Sequence, residues 1–189
     1  TGGDGDILLS NMKKLDLDPN KVDTVFLSHI HYDHTGGLFD FLKLNPEVNV
    51  YMPVSFPISL QKDILEHGAK VNTISEPQQL GHDLYSTGEM GTAIKEQALI
   101  VDSGKGLIVL TGCAHPNIAD IAAQAKSYLQ KDIYLLMGGF HLKAKSGSET
   151  DRIIQRLKHL GVSKIAPSHC TGKEAIQMFS QAWGDDFIK

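Results

Sequence analysis

Apolar positions along the chain change period in a regular way. Leu8, Met12 and Leu15 fall on one face at helical spacing, so a helix is expected over residues 6–17, with Asp6 as its cap and Pro19 closing it. Residues 24–28, Thr-Val-Phe-Leu-Ser, form a short β-branched and aromatic run that reads as a buried strand with His29 at its carboxyl end. Gly36-Gly37 leads into a helix over 38–42, stopped by Asn45-Pro46, and a strand follows over 48–52. The pattern weakens between 55 and 97, where only a helix near 60–66 and a strand near 71–74 stand out from the Gly, Pro and Gln interruptions. It sharpens again at 97–101 and 106–110, two apolar runs joined by Asp102-Ser103-Gly104-Lys105 as a hairpin. Helices over 117–129 and 149–160 then alternate with strands over 133–137 and 164–166, and a closing helix ends the chain. Strands alternating with helices imply an α/β layered architecture.

Composition narrows the function classes. A chain of 189 residues suits one buried core, so a single domain over 1–189 is expected. The net charge is −4 and the lysines are scattered, which argues against a nucleic-acid partner, since that would need a basic surface to displace counterions. No apolar run has the roughly 18–20 residues that span a bilayer, and no signal peptide opens the sequence, so a cytoplasmic location without membrane contact is expected. The two cysteines, Cys113 and Cys170, are too few for a disulfide framework and read as small buried thiols. The expected partner is a small-molecule substrate; the sequence assigns no oligomeric state.

The chemistry concentrates in histidine. His29-Ile30-His31-Tyr32-Asp33-His34 places four metal-capable side chains within six residues, immediately after a buried strand. Imidazoles two apart at a strand mouth can point the same way while the turn that follows aims Asp33 and His34 elsewhere, so one short loop can serve two neighbouring cation positions. Burying so many polar rings without a metal would leave donors unpaired. His115 and His169 also follow strands, in Gly112-Cys113-Ala114-His115 and Pro167-Ser168-His169, and ligands of α/β sheets gather at the carboxyl ends of strands. His67, His82 and His159 read as surface or satisfied histidines.

The pattern His-x-His-x-Asp-His with two isolated downstream histidines resembles the metallo-β-lactamase superfamily. That resemblance implies an αββα sandwich, His29, His31 and His115 on a first metal, and Asp33, His34 and His169 on a second. It implies one or two divalent ions, zinc first with manganese or iron as alternatives, and a metal-bound hydroxide as nucleophile. Further stretches, including His34-Thr35-Gly36-Gly37-Leu38, Glu96-Gln97-Ala98-Leu99, Thr111-Gly112-Cys113-Ala114-His115-Pro116, Gly138-Gly139-Phe140-His141-Leu142 and Pro167-Ser168-His169-Cys170-Thr171-Gly172, are similar to the dihydropterin-methyl-ribofuranosylaminobenzene-phosphate synthase branch.

Two departures from the family pattern matter. Members begin with strands ending in Asp-Thr-Gly, whereas this sequence opens at Thr1-Gly2, so the first N-terminal strands and their supporting Asp are expected to be missing. The carboxylate that bridges two metals in dinuclear members is replaced by Gly138-Gly139-Phe140-His141. Either His141 is therefore expected to act as a ligand or acid–base group, with Asp33 the other catalytic residue, or one metal position is weak and the site works with a single ion. Tyr32 and Phe140 are expected to line a pocket for a flat ring, and Lys173, opening a helix beside His169, to hold a phosphate. The leading expectation is a metal-dependent hydrolase. Its alternatives are a transferase displacing diphosphate from a dihydropterin-methyl diphosphate, and a non-catalytic sensor that holds metal and ligand.

Overall fold

Asp4, and not Asp6, caps the first helix: its Oδ1 accepts the Ile7 amide at 2.9 Å, which starts α1 (Gly5–Lys14) one residue before the expected position. Asp6 lies inside the first turn, where its charge still opposes the helix dipole favourably. The computed structural model describes residues 1–189 and divides them into two compact units, Thr1–Ser75 and Glu76–Lys189.

The first unit holds a parallel three-stranded sheet, β1 (Thr24–Phe26), β2 (Asn49–Pro53) and β3 (Lys70–Ile74), with β2 central. Helices α2 (Tyr32–Thr35) and α3 (Leu38–Leu44) connect the first two strands, and α4 (Ile58–Glu66) connects the second pair. Val25, Val50 and Met52 from the sheet pack with Leu38, Phe41, Leu42 and Ile64 from the helices, so the apolar faces read from the sequence are the ones that meet.

The second unit is a six-stranded sheet in chain order: β4 (Gln78–Gly81), β5 (Leu84–Ser86), β6 (Leu99–Asp102), β7 (Leu107–Thr111), β8 (Ile133–Gly139) and β9 (Lys164–Ser168). Pairing is antiparallel from β4 to β7 and parallel from β7 to β9. The change falls where the helical crossovers α5 (Ile118–Leu129) and α6 (Gly147–His159) take over as connections, as parallel neighbours require. The last helix, α7 (Lys173–Trp183), packs Phe179 and Trp183 into a core with Ile118, Ile121, Leu136, Leu157 and Ile165. The hairpin and each later element fall where the hydrophobic pattern put them. No helix is long and apolar enough to cross a membrane.

The start of α6 is fixed by a reciprocal cap in which the Glu149 amide donates to Ser146 Oγ and the Ser146 amide donates to Glu149 Oε2. The Ser146 amide first, then the Ser146 hydroxyl, which donates to the same oxygen at 2.8 Å, and Lys145 hold the Glu149 carboxyl down to about 2. A carboxyl depressed in the folded state stabilises above its unfolded value, so this contribution fades as pH falls from the ordinary carboxylate range toward about 2. Ser146→Ala is expected to cost about 1 kcal/mol, a drop in melting temperature of roughly 2–4 °C by calorimetry at neutral pH. No measurable drop would show that the cap contributes nothing.

Candidate metal centre

In the first unit the histidine loop leaves the sheet just past β1. The Leu27 amide donates to Tyr51 O at 2.9 Å, which carries the pairing one residue beyond the strand before the chain turns out at His29. His29 is 0% exposed, and its Nδ1 lies 3.0 Å from Ser28 Oγ. Around it gather His31, with ring centroids 4.9 Å apart, and His34, at 4.2 Å. Asp33 Oδ2 sits 3.3 Å from His34 Nε2, with its carboxylate half exposed. The four candidate ligands of this loop therefore do converge.

The turn beneath them is closed by glycine. A Cβ on Gly36 would lie 2.5 Å from Gly3 O, and one on Gly37 would lie 2.5 Å from Thr1 O. The room they leave is filled by the opening Thr-Gly-Gly segment: Thr1 Oγ1 donates to His34 O at 2.9 Å, and the Gly37 amide donates to Gly2 O at 3.1 Å.

In the second unit the parallel register pairs Thr111 with Gly138 and Gly139 with Ser168. The loops bearing His115, His141 and His169 thus leave the same edge of the sheet, at the carboxyl ends of β7, β8 and β9. The rings of His115 and His141 are 4.3 Å apart. Each loop contains a non-glycine residue in the left-handed region: Ala114 at φ 59°, His141 at φ 53° and His169 at φ 51°. Such residues cost on the order of 1–3 kcal/mol each and persist where surrounding structure holds them, typically at functional sites.

What holds the first of these loops is Glu96, a residue to which the sequence reading gave no role. Its side chain is 0% exposed. Oε1 accepts the amides of Gly112, Cys113 and Ala114 at 3.1, 2.8 and 2.9 Å, and Oε2 accepts that of His115 at 2.9 Å. Four consecutive backbone donors surround one buried carboxylate and balance its charge with their dipoles. Thr171 staples the other two loops: its Oγ1 accepts the Phe140 amide at 3.1 Å and donates to Ser168 O at 2.6 Å.

At the position where a bridging carboxylate was sought, no side chain fits. A Cβ on Gly138, at φ 119°, would lie 2.2 Å from Thr111 O. One on Gly139 would meet Gly112 O at 2.3 Å and Cys170 Sγ at 2.8 Å. The two glycines let β7, β8 and the Cys170 loop close on one another. The Cys170 thiol is pulled down to about 5, first by its hydrogen bond with the Cys113 thiol and then by His141, against the opposing effect of burial.

The expected substrate residues part ways. Tyr32 is 74% exposed at the start of α2. Phe140 is 1% exposed and stacks edge-to-face on Phe179 at 5.4 Å inside the core, so the expectation that it lines a ligand pocket is corrected. Lys173 lines an open cavity of about 510 Å³ together with Lys143, Lys145, His169, Thr171 and Glu174. His67 is held by Asp63 O at 2.7 Å, His82 is exposed beside Asp83, and His159 ends α6.

The sequence model of the metallo-β-lactamase superfamily matches residues 1–119. The chain belongs to the metallo-β-lactamase superfamily. The 7,8-dihydropterin-6-methyl-4-(β-D-ribofuranosyl)-aminobenzene-5'-phosphate synthase of Methanocaldococcus jannaschii is 30% identical over 95% of this chain and 76% of its own length, in keeping with the branch read from the motifs. An uncharacterized protein of the same organism is 27% identical over 95% of this chain and 80% of its own. Among solved structures, the superfamily's metal-dependent hydrolase Tm1679 covers all of this chain and 83% of its own, at 26% identity and a TM-score of 0.81. YhfI of Bacillus subtilis, a metallo-β-lactamase fold protein, matches at 15% identity and a TM-score of 0.68, sharing 96% of this chain and 79% of its own, and so supports the fold alone. The metallo-β-lactamase fold inferred from the sequence is thereby met. Imidazole donors in both units, with the Asp33 carboxylate beside His34 in the first, are a donor set that fits divalent metal ions.

Proposed function

We propose that the protein is a metal-dependent hydrolase acting on a small phosphorylated or pterin-like molecule. The observation that carries this reading is the delivery of His115, His141 and His169 to one edge of the second unit's sheet, in a superfamily member whose His29-to-His34 loop gathers a further ligand set. In this proposal His29, His31 and His115 hold one divalent ion, and Asp33, His34 and His169 hold a second. Zinc is the first candidate, with manganese and iron behind it. Such ions supply Lewis acidity and a water that ionises near neutral pH.

The chain's own residues supply binding and proton handling. Lys143 and Lys173 give the cavity beside His169 positive charge suited to phosphate, and the start of α7 at Lys173 adds amide donors. Asp33, half exposed against His34, would orient a water and take its proton. Tyr32 offers an exposed ring face for a flat substrate group. The likeness to Tm1679, described as a metal-dependent hydrolase, supports this reading.

A second reading, displacement of diphosphate from a dihydropterin-methyl diphosphate, is favoured by the 30% identity to the synthase, and the same lysine-lined cavity would suit a diphosphate. The test is to measure metal per chain and then turnover on phosphoester, thioester, lactone and pterin-methyl diphosphate panels, before and after chelation. We expect bound divalent metal, turnover that the chelator abolishes and divalent ion restores, and a several-fold higher KM in Lys173→Ala at nearly constant kcat. Metal binding without turnover on any panel would make the protein a sensor.

A further inference from the structure

We propose that Cys113, His141 and Cys170 form a soft-metal site of their own, filled by zinc. One ligand atom from each lies within 4.8 Å of the other two. Zinc–sulfur distances of about 2.3 Å and zinc–nitrogen distances of about 2.0–2.1 Å place the ligand atoms of a tetrahedral ion roughly 3.5–3.8 Å apart, so closure needs side-chain adjustments of about an ångström. Two thiolates and a neutral imidazole are a zinc donor set, and the two thiolate charges neutralise the ion. On binding, both sulfurs coordinate as thiolates, any proton still carried by a thiol passes to solvent, and no oxidant or reductant is involved.

Three separate devices bring these atoms together. Glu96 fixes the backbone at Cys113 through that residue's amide. His141 takes a left-handed conformation directly after β8, and the Thr171 hydroxyl holds the preceding Phe140 amide. Gly139 leaves open the space that Cys170 Sγ enters, since a Cβ there would stand 2.8 Å from the sulfur. Cys113 is buried and Cys170 half-buried, with Cys170 Sγ 3.7 Å from Cys113 O.

A disulfide between the cysteines would account for the thiol contact but not for the imidazole of His141 standing beside both sulfurs. A zinc site uses all three residues and leaves a fourth position open for water or ligand. None of the three is among the six ligands proposed for the hydrolytic ions, and the thiol readouts below do not depend on turnover, so failure of this inference and failure of that reading are distinguishable.

The full chain, reduced and stripped of metal, is titrated with cobalt(II) alone and separately with zinc alone. Thiolate-to-cobalt charge transfer in the near ultraviolet is expected, and both thiols should stop reacting with an aromatic disulfide reagent once zinc is bound. Cys170→Ser is expected to lose about half the charge-transfer intensity and His141→Ala to weaken cobalt binding there about 10–100-fold or more, while His34→Ala keeps the band. Thiol protection in the unmodified chain reads the site even if a cysteine variant folds poorly. The proposal is overturned by absence of the band at saturating cobalt, by thiols that stay reactive with zinc bound, or by a band that disappears in His34→Ala yet survives in His141→Ala.

Discussion

Glu96→Gln is expected to cost about 3 kcal/mol of folding stability, measured by urea denaturation at neutral pH, and to weaken metal binding through His115. Hydrogen bonds to a charged group contribute about 1.5–3 kcal/mol each, roughly twice the neutral value. Glutamine keeps the shape and can leave its oxygen on the amides of Gly112, Cys113 and Ala114, at reduced strength. Its NH2 group then faces the His115 amide, placing donor against donor in a buried setting. Glu96→Ala would go further, stranding four donors around a void. A change below about 0.5 kcal/mol in the glutamine variant, the range of ordinary surface substitutions, would mean that the loop holds its shape by other means.

His31→Ala should behave in the opposite way. Its ring sits 4.9 Å from that of His29 at the cap position of α2, where it makes no side-chain capping bond. Metal-free stability is expected to change little, while metal affinity and turnover fall by at least about 100-fold, since even groups that merely support a ligand contribute 10–100-fold. Metal analysis after dialysis, with melting of the metal-free protein alongside, checks both halves. An unchanged metal content would remove His31 from the proposed ligand set.

The parts of the fold legible in the sequence are those with a strong period: the apolar runs of β6 to β9, and the amphipathic stretches of α5 and α6. The strands β4 and β5 were missed because Gln78-Gln79-Leu80-Gly81 is mostly exposed and carries no buried apolar alternation. Asp4 and Asp6 offer the same capping chemistry two residues apart, and sequence cannot choose between them when terminal geometry decides. The histidines were visible because ligand chemistry is written in side-chain identity. Glu96 was not, because its partners are backbone amides 16–19 residues onward, which any sequence would supply. Its neighbours Gln97 and Ala98 are buried, and in a strand-like stretch a carboxylate among buried residues is the signal that could have found it. Phe140 failed for the converse reason: its position beside His141 suggested a ligand face, but the alternation of the chain turns it into the core.

The closeness in sequence of His29, His31, Asp33 and His34 reaches beyond the native state. Four donors within six residues stay neighbours when the chain is denatured, whereas the loops after β7, β8 and β9 meet only once that sheet has zipped. An ion can therefore grip the unfolded polypeptide at one end, and occupancy there will stabilise folding by less than the ratio of free metal to its native dissociation constant would suggest.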